Sequence, residues 1–75
     1  LADEYVDFAD IEAVLLQKAI RSLPRKQRLT FNLRYYDEQS FNEIAEITDT
    51  TSDGAKANWH NAKVKITNYL KEHDG

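Results

Sequence analysis

The chain has no cysteine and no methionine among its 75 residues, a single proline (Pro24) and two glycines (Gly54, Gly75). Without cysteine there is no disulfide to staple a small fold and no thiolate to hold zinc or an iron–sulfur cluster. So few glycines and prolines cannot supply the turn signal at about every 8 to 12 residues that a β-sandwich or barrel needs. No apolar run exceeds four residues, against the roughly 20 that span a bilayer. The start, Leu1-Ala2-Asp3-Glu4, has neither a basic signal-peptide segment nor an initiator methionine. The expectation is a piece of a longer, cytoplasmic chain with no membrane segment and no small-molecule cofactor.

What is present is 41% hydrophobic and 31% charged residues. A chain of this length buries only about 60% of its unfolded surface, so it forms one compact domain and not two. With turns scarce, that domain is expected to be all-α. The formal charge of −3 and a pI near 5.2 argue, as averages, against a nucleic-acid binder. The charges are nevertheless segregated. Residues 1–20 hold five acids against Lys18, whereas residues 21–36 hold Arg21, Arg25, Lys26, Arg28 and Arg34 and no acid. Residues 37–50 carry five acids and no base, and residues 51–75 carry four lysines against three acids. Such blocks place positive faces on an acidic protein.

Apolar positions at 8, 11, 15, 19 and 23 follow helical steps and predict a helix over about 9–22, preceded by a linker remnant or helix extension at 1–8. Pro24 cannot continue that helix but suits the first position of a second one, predicted over 24–36. Within it, Leu29, Phe31, Leu33 and Tyr35 alternate as a strand would, but no second strand exists to pair with them. Ser40-Phe41-Asn42-Glu43 fits a capping box. It predicts a short third helix burying Phe41, Ile44, Ala45 and Thr48, with Ile47 alongside. Thr51 or Ser52 can cap a long last helix, with Asp53 in its first turn, where the helix dipole favours an acid. Its stripe of Ala55, Trp59, Ala62, Ile66 and Tyr69/Leu70 packs, and Lys56, His60, Lys63 and Thr67 form a polar stripe beside it. The domain is expected to span 9–72, with 73–75 frayed.

The short third helix, tight turn and long fourth helix match a helix-turn-helix, in which the second helix enters the major groove and the first crosses the backbone. A plain helical bundle has the same pattern. Lys56 and Lys63, two turns apart, suit phosphate or guanine contacts, or simply a solvated face. Arg25, Lys26 and Arg28 at a helix start combine charge with free backbone N–H groups, or pair with acids across the bundle. Trp59 reads as a core anchor more than a stacking platform, because it lies in the apolar stripe. Of Tyr35 and Tyr36, one is expected to be buried. His60 has no cysteine or suitably spaced carboxylate with which to bind a metal, and there is no nucleophile elbow or phosphate loop, so an enzyme is not expected.

Several motifs, in order and spacing, carry a resemblance over about residues 10–71. They are Leu23-Pro24-Arg25-Lys26-Gln27-Arg28, Leu33-Arg34-Tyr35-Tyr36, Ser40-Phe41-Asn42-Glu43-Ile44-Ala45-Glu46-Ile47 and Gly54-Ala55-Lys56-Ala57-Asn58-Trp59-His60-Asn61-Ala62-Lys63. Together they resemble region 4 of sigma-70-type transcription initiation factors, especially the extracytoplasmic-function group. The resemblance implies a four-helix helix-turn-helix domain whose long C-terminal recognition helix reads the minus-35 promoter element in double-stranded DNA. It also implies docking on the β flap of RNA polymerase, with an anti-sigma factor as a further partner and catalysis left to the polymerase.

Carried over by motif, the base-edge positions fall on Lys56, Ala57, His60 and Asn61. Phosphate contacts are expected at Arg25, Lys26, Arg28, Ser40, Thr51, Ser52, Asn58 and Lys63. The family often has Arg where Asn58 and Asn61 stand. An Asn pairs with adenine N6 and N7 where Arg favours guanine, so Asn61 predicts a changed base preference. Family members also often have Gly in the turn at Asp49. Asp tolerates a left-handed backbone better than most residues, so the turn is expected to survive. Alternative readings are the output domain of a response-regulator-type helix-turn-helix protein, or a protein-interaction bundle.

Overall fold

The computed structural model describes residues 8–73, which form four α-helices: α1 (Ala13–Arg21), α2 (Arg25–Tyr35), α3 (Phe41–Ile47) and α4 (Ser52–His73). This is the expected all-α, helix-turn-helix architecture. The linker remnant or extension expected at 1–8 lies, except for Phe8, outside the described residues, as do 74 and 75 of the frayed end. Phe8 itself is buried in the core.

α1 starts four residues later than its periodicity suggests. Residues 9–11 make a turn, closed by the Ile11 N–H donating to the Phe8 carbonyl at 3.0 Å. The Glu12 carboxylate then accepts from the N–H groups of Val14 and Leu15, both at 3.1 Å. These are donors that no earlier helical carbonyl can satisfy. The Ser22 N–H and hydroxyl both close on Ala19, and Pro24 stands just outside α2 as its N-cap rather than as its first residue.

α2 resolves the alternation at 29–35 as a helix: Phe31 is fully buried with Tyr35 beside it, and Leu29 and Tyr36 lie on the outer side. Glu38 takes a left-handed conformation (φ 54°) as the chain reverses. There the Gln39 N–H donates to the Leu33 carbonyl and the Arg34 guanidinium donates to the Gln39 carbonyl, each at 3.0 Å.

The capping box at α3 is complete, with the Glu43 N–H on the Ser40 hydroxyl at 3.1 Å and the Ser40 N–H on the Glu43 carboxylate at 3.2 Å. Ile44, Ala45 and Thr48 are buried, but Ile47 is 57% exposed and does not join them. Three residues after Ile44, it lies about 60° round the helix on the side away from Ala45 and Thr48, outside the narrow stripe that a seven-residue helix turns inward. Asp49 follows with φ 55°, and the Thr50 N–H returns to the Ala45 carbonyl at 2.9 Å, the six-to-one bond of a Schellman end.

Of the two candidate caps for α4, Thr51 serves: its hydroxyl accepts from the Gly54 N–H at 2.9 Å. A side chain on Gly54 would run into the Thr50 hydroxyl, so glycine lets the turn close against the helix. α4 packs on each of the other three helices. Its Trp59, Ala62 and Ile66 meet Phe8, Leu16, Ala19, Ile20, Leu23 and Phe31 in the main core, and Ala55 joins Ile44 and Ala45 in a smaller cluster. Phe31 stacks on Tyr35, with centroids at 5.1 Å, and on Trp59, at 5.4 Å, and meets Phe8 edge-on at 5.8 Å.

Candidate nucleic-acid interface

Because one face of α4 is committed to the core, its opposite face is what the domain can present. Lys56, Ala57, His60 and Asn61 are all exposed. At about 100° per residue they occupy a sector of about 140° on the side of the helix away from Ala55, Trp59, Ala62 and Ile66. Two residues that the sequence reading left out share that face. Val64, 44% exposed, lies in its middle, and Lys65 is exposed beside Asn61. Val64 was detectable as an apolar residue out of phase with the buried stripe. Asp53, also exposed, stands at the N-terminal end of the same face.

The flanking positions divide. Thr51 is exposed at the helix cap, and Ser52 and Asn58 are half-buried at the margins of the presented sector. Ser40 is exposed, with its hydroxyl oxygen already accepting from Glu43. Arg25 and Lys26 are exposed and Arg28 half-buried at the start of α2, whose N-cap Pro24 offers no side-chain acceptor to the first amides. The Lys56 ammonium lies 5.9 Å from the Phe41 ring centroid, which brings it to the start of α3, next along the chain from Ser40.

Lys63 does not belong to the presented face. It is 5% exposed, and its ammonium lies 5.1 Å from the centre of the Trp59 ring. Residues four apart on a helix are neighbours, so a lysine one turn after a core tryptophan can lay its stem on the core and its charge on the indole. The Lys63 side chain, for which a phosphate contact is expected from the sequence, thus lies with the packing face and widens it.

The electrostatics differ on the two helices of the motif. The outer side of α3 carries exposed Glu43 and Glu46, followed by Asp49 in the turn, while the presented face of α4 carries Lys56 and Lys65. Of these two helices only α4 presents cations outward, with Asp53 at the N-terminal end of the face. Trp59 is a core residue, buried and stacked, and cannot serve as a base-stacking platform. Tyr35 packs on the core, and Tyr36 is 49% exposed, with its hydroxyl accepting from the Gln17 side-chain amide at 3.1 Å. No helix among the described residues is long and apolar enough to cross a membrane, and among them no group of three or more His, Asp or Glu side chains could hold a metal ion.

Residues 13–66 match the family model of sigma-70, region 4. No curated protein and no solved structure matches the chain.

Proposed function

Since the chain belongs to the sigma-70 region 4 family of DNA-binding transcription-initiation domains, we propose that it reads the minus-35 element for an extracytoplasmic-function sigma factor and docks on the polymerase β flap. The observation that carries this reading is the exposure of Lys56, Ala57, His60 and Asn61 along one side of a helix whose other side is core. In the major groove, Lys56 suits guanine O6 and N7, Asn61 suits adenine N6 and N7, and the Ala57 methyl suits a thymine methyl. Arg25, Lys26, Arg28, Ser40, Thr51, Ser52 and Asn58 are the candidates for phosphate, which would set the register of the helix without reading sequence. The exposed aliphatic side chains of Val14, Leu29 and Ile47 are available to the flap or to an anti-sigma factor.

The family match weighs against the response-regulator reading. A protein-interaction bundle with little DNA affinity keeps some support from the net charge of −3. The test is promoter selection by the full-length sigma factor with core polymerase, across randomised upstream sequence. Comparing wild type with Lys56→Ala and Asn61→Ala, the expected result is loss of base preference at a separate upstream position for each variant. Unchanged preference with both variants would leave a docking module only.

A further inference from the structure

We propose that Phe41 is a positioning residue for Lys56, and that the ring orients the lysine toward DNA before DNA arrives. The inference rests on the reading of Lys56 as a DNA-contacting side chain. Phe41 is the first residue of α3, directly after the Ser40 cap, so the capping box fixes its backbone. Its ring is half-buried and packs against both core clusters. Arg34 on α2 holds the ring from another side: its guanidinium carbon is 4.3 Å from the ring centroid, and its N–H groups tie down the Gln39 carbonyl at 3.0 Å. Lys56 on α4 brings the third contact, with its ammonium at 5.9 Å. Three helices thus meet on one aromatic ring.

The distances separate the two cations in role. Arg34, close to the ring and bonded to backbone, is structural. Lys56 stands near the outer limit of cation–π attraction, about 6 Å, where the hold biases a flexible side chain without trapping it. Lysine is among the side chains with the most rotamer freedom to lose when immobilised on DNA. A side chain already confined to the α3 side of the groove loses less on binding, which is preorganisation. Lys56 is exposed, so in the complex its ammonium keeps the ring on one side while the other side meets a base edge or phosphate, and the ordering is not given up on binding. An exposed cation–π contact corresponds to roughly a two- to five-fold effect on binding.

The test uses four variants: Phe41→Leu, which keeps apolar volume and removes the ring; Phe41→Tyr, which keeps the ring; Lys56→Ala; and the Phe41→Leu/Lys56→Ala double variant. Promoter selection with the full-length sigma factor and core polymerase is scored at the base position that Lys56→Ala flattens. The Lys56 side-chain methylene resonances are followed by NMR in this chain. The expected result is upfield ring-shifted Lys56 resonances in wild type and Phe41→Tyr that return to random-coil positions in Phe41→Leu. Phe41→Leu should also lose roughly two- to five-fold of the preference at that same position, and the double variant should lose no more than Lys56→Ala alone.

Lys56 resonances without a ring shift in wild type overturn the proposal even if Phe41→Leu fails to fold. Losses that multiply in the double variant, or a Phe41→Leu protein that melts cooperatively and keeps full preference, overturn it as well. Indifference of selection to Lys56→Ala itself would sink the promoter reading at this residue, and the positioning role with it. A loss with Lys56→Ala and none with Phe41→Leu sinks the positioning role alone.

Discussion

The Trp59 indole of α4 lies stacked on the Phe31 ring of α2, with centroids 5.4 Å apart and planes 25° from parallel. Phe31 is fully buried, so this contact joins the helix that presents Lys56, Ala57, His60 and Asn61 to the centre of the bundle. Truncating a buried aromatic costs about 3–5 kcal/mol, comparable with the whole stability of a small domain, on the order of 5 kcal/mol. Trp59→Ala is therefore expected to abolish the cooperative thermal transition in far-UV circular dichroism, and Trp59→Phe to keep it at a lower midpoint. A well-folded Trp59→Ala protein would contradict the placement of this residue at the core.

The two lysines of the recognition helix are expected to separate in a salt titration. Each phosphate neutralised contributes about 0.9 to the slope of log affinity against log salt. Lys63→Met keeps the stem on Trp59 and removes an ammonium that lies on the packing face, so the slope of promoter binding by the full-length protein with polymerase should stay at the wild-type value. Lys56→Ala should lower it, by up to about 0.9. A lowered slope with Lys63→Met would return that residue to the DNA-facing set.

Two acidic residues adopt left-handed backbone, Glu38 (φ 54°) and Asp49 (φ 55°). Glycine removes the steric cost of that conformation, roughly 1 kcal/mol for a residue such as Glu and less for Asp. Glu38→Gly should therefore raise the melting midpoint by about 4–8 °C, the shift that about 1 kcal/mol produces in a domain of this size. Asp49→Gly should raise it less. A fall in either midpoint would show that the side chain matters more than its backbone strain.

At Gly54 the sign of a substitution depends on its neighbour. Alanine is favoured over glycine in a helix by about 1 kcal/mol, but its methyl would collide with the Thr50 hydroxyl. Gly54→Ala alone should give little gain or a loss. In a Thr50→Ala background the same change should stabilise by up to about 1 kcal/mol, measured by urea denaturation. Equal effects in both backgrounds would mean that Thr50 turns aside freely.

Ser40→Ala removes one half of the capping box and leaves the Glu43 N–H without its acceptor. A loss of about 1 kcal/mol is expected by denaturant titration, with promoter affinity falling in parallel because α3 carries Phe41. Unaltered stability would mean that water replaces the serine.

The features legible in the sequence are those set by local chemistry. Pro24 marks the α1–α2 boundary, Ser40 and Glu43 mark the start of α3, and the spacing of Ala55, Trp59, Ala62 and Ile66 gives both the long helix and the face it turns away from the core. What escaped depends on tertiary detail. The start of α1 is set by Glu12, whose longer carboxylate reaches first-turn amides that Ser, Thr, Asp or Asn more often cap. Periodicity marks Lys63 as polar, and only the width of the packed face decides that its stem is buried. Ile47 escaped for the opposite reason: α3 buries so narrow a strip that an isoleucine one step outside it reaches solvent.

α4 packs on all three other helices, so the domain has no separate scaffold on which a reading element is mounted. Its positions fall into two alphabets that do not mix. On the proposed reading, substitutions at Lys56, Ala57, His60, Asn61 and Val64 alter which sequence is preferred while the bundle stays intact, whereas those at Ala55, Trp59, Ala62 and Ile66 change whether there is a bundle at all. On that reading, a library confined to the first set would sample new promoter preferences on an unchanged fold.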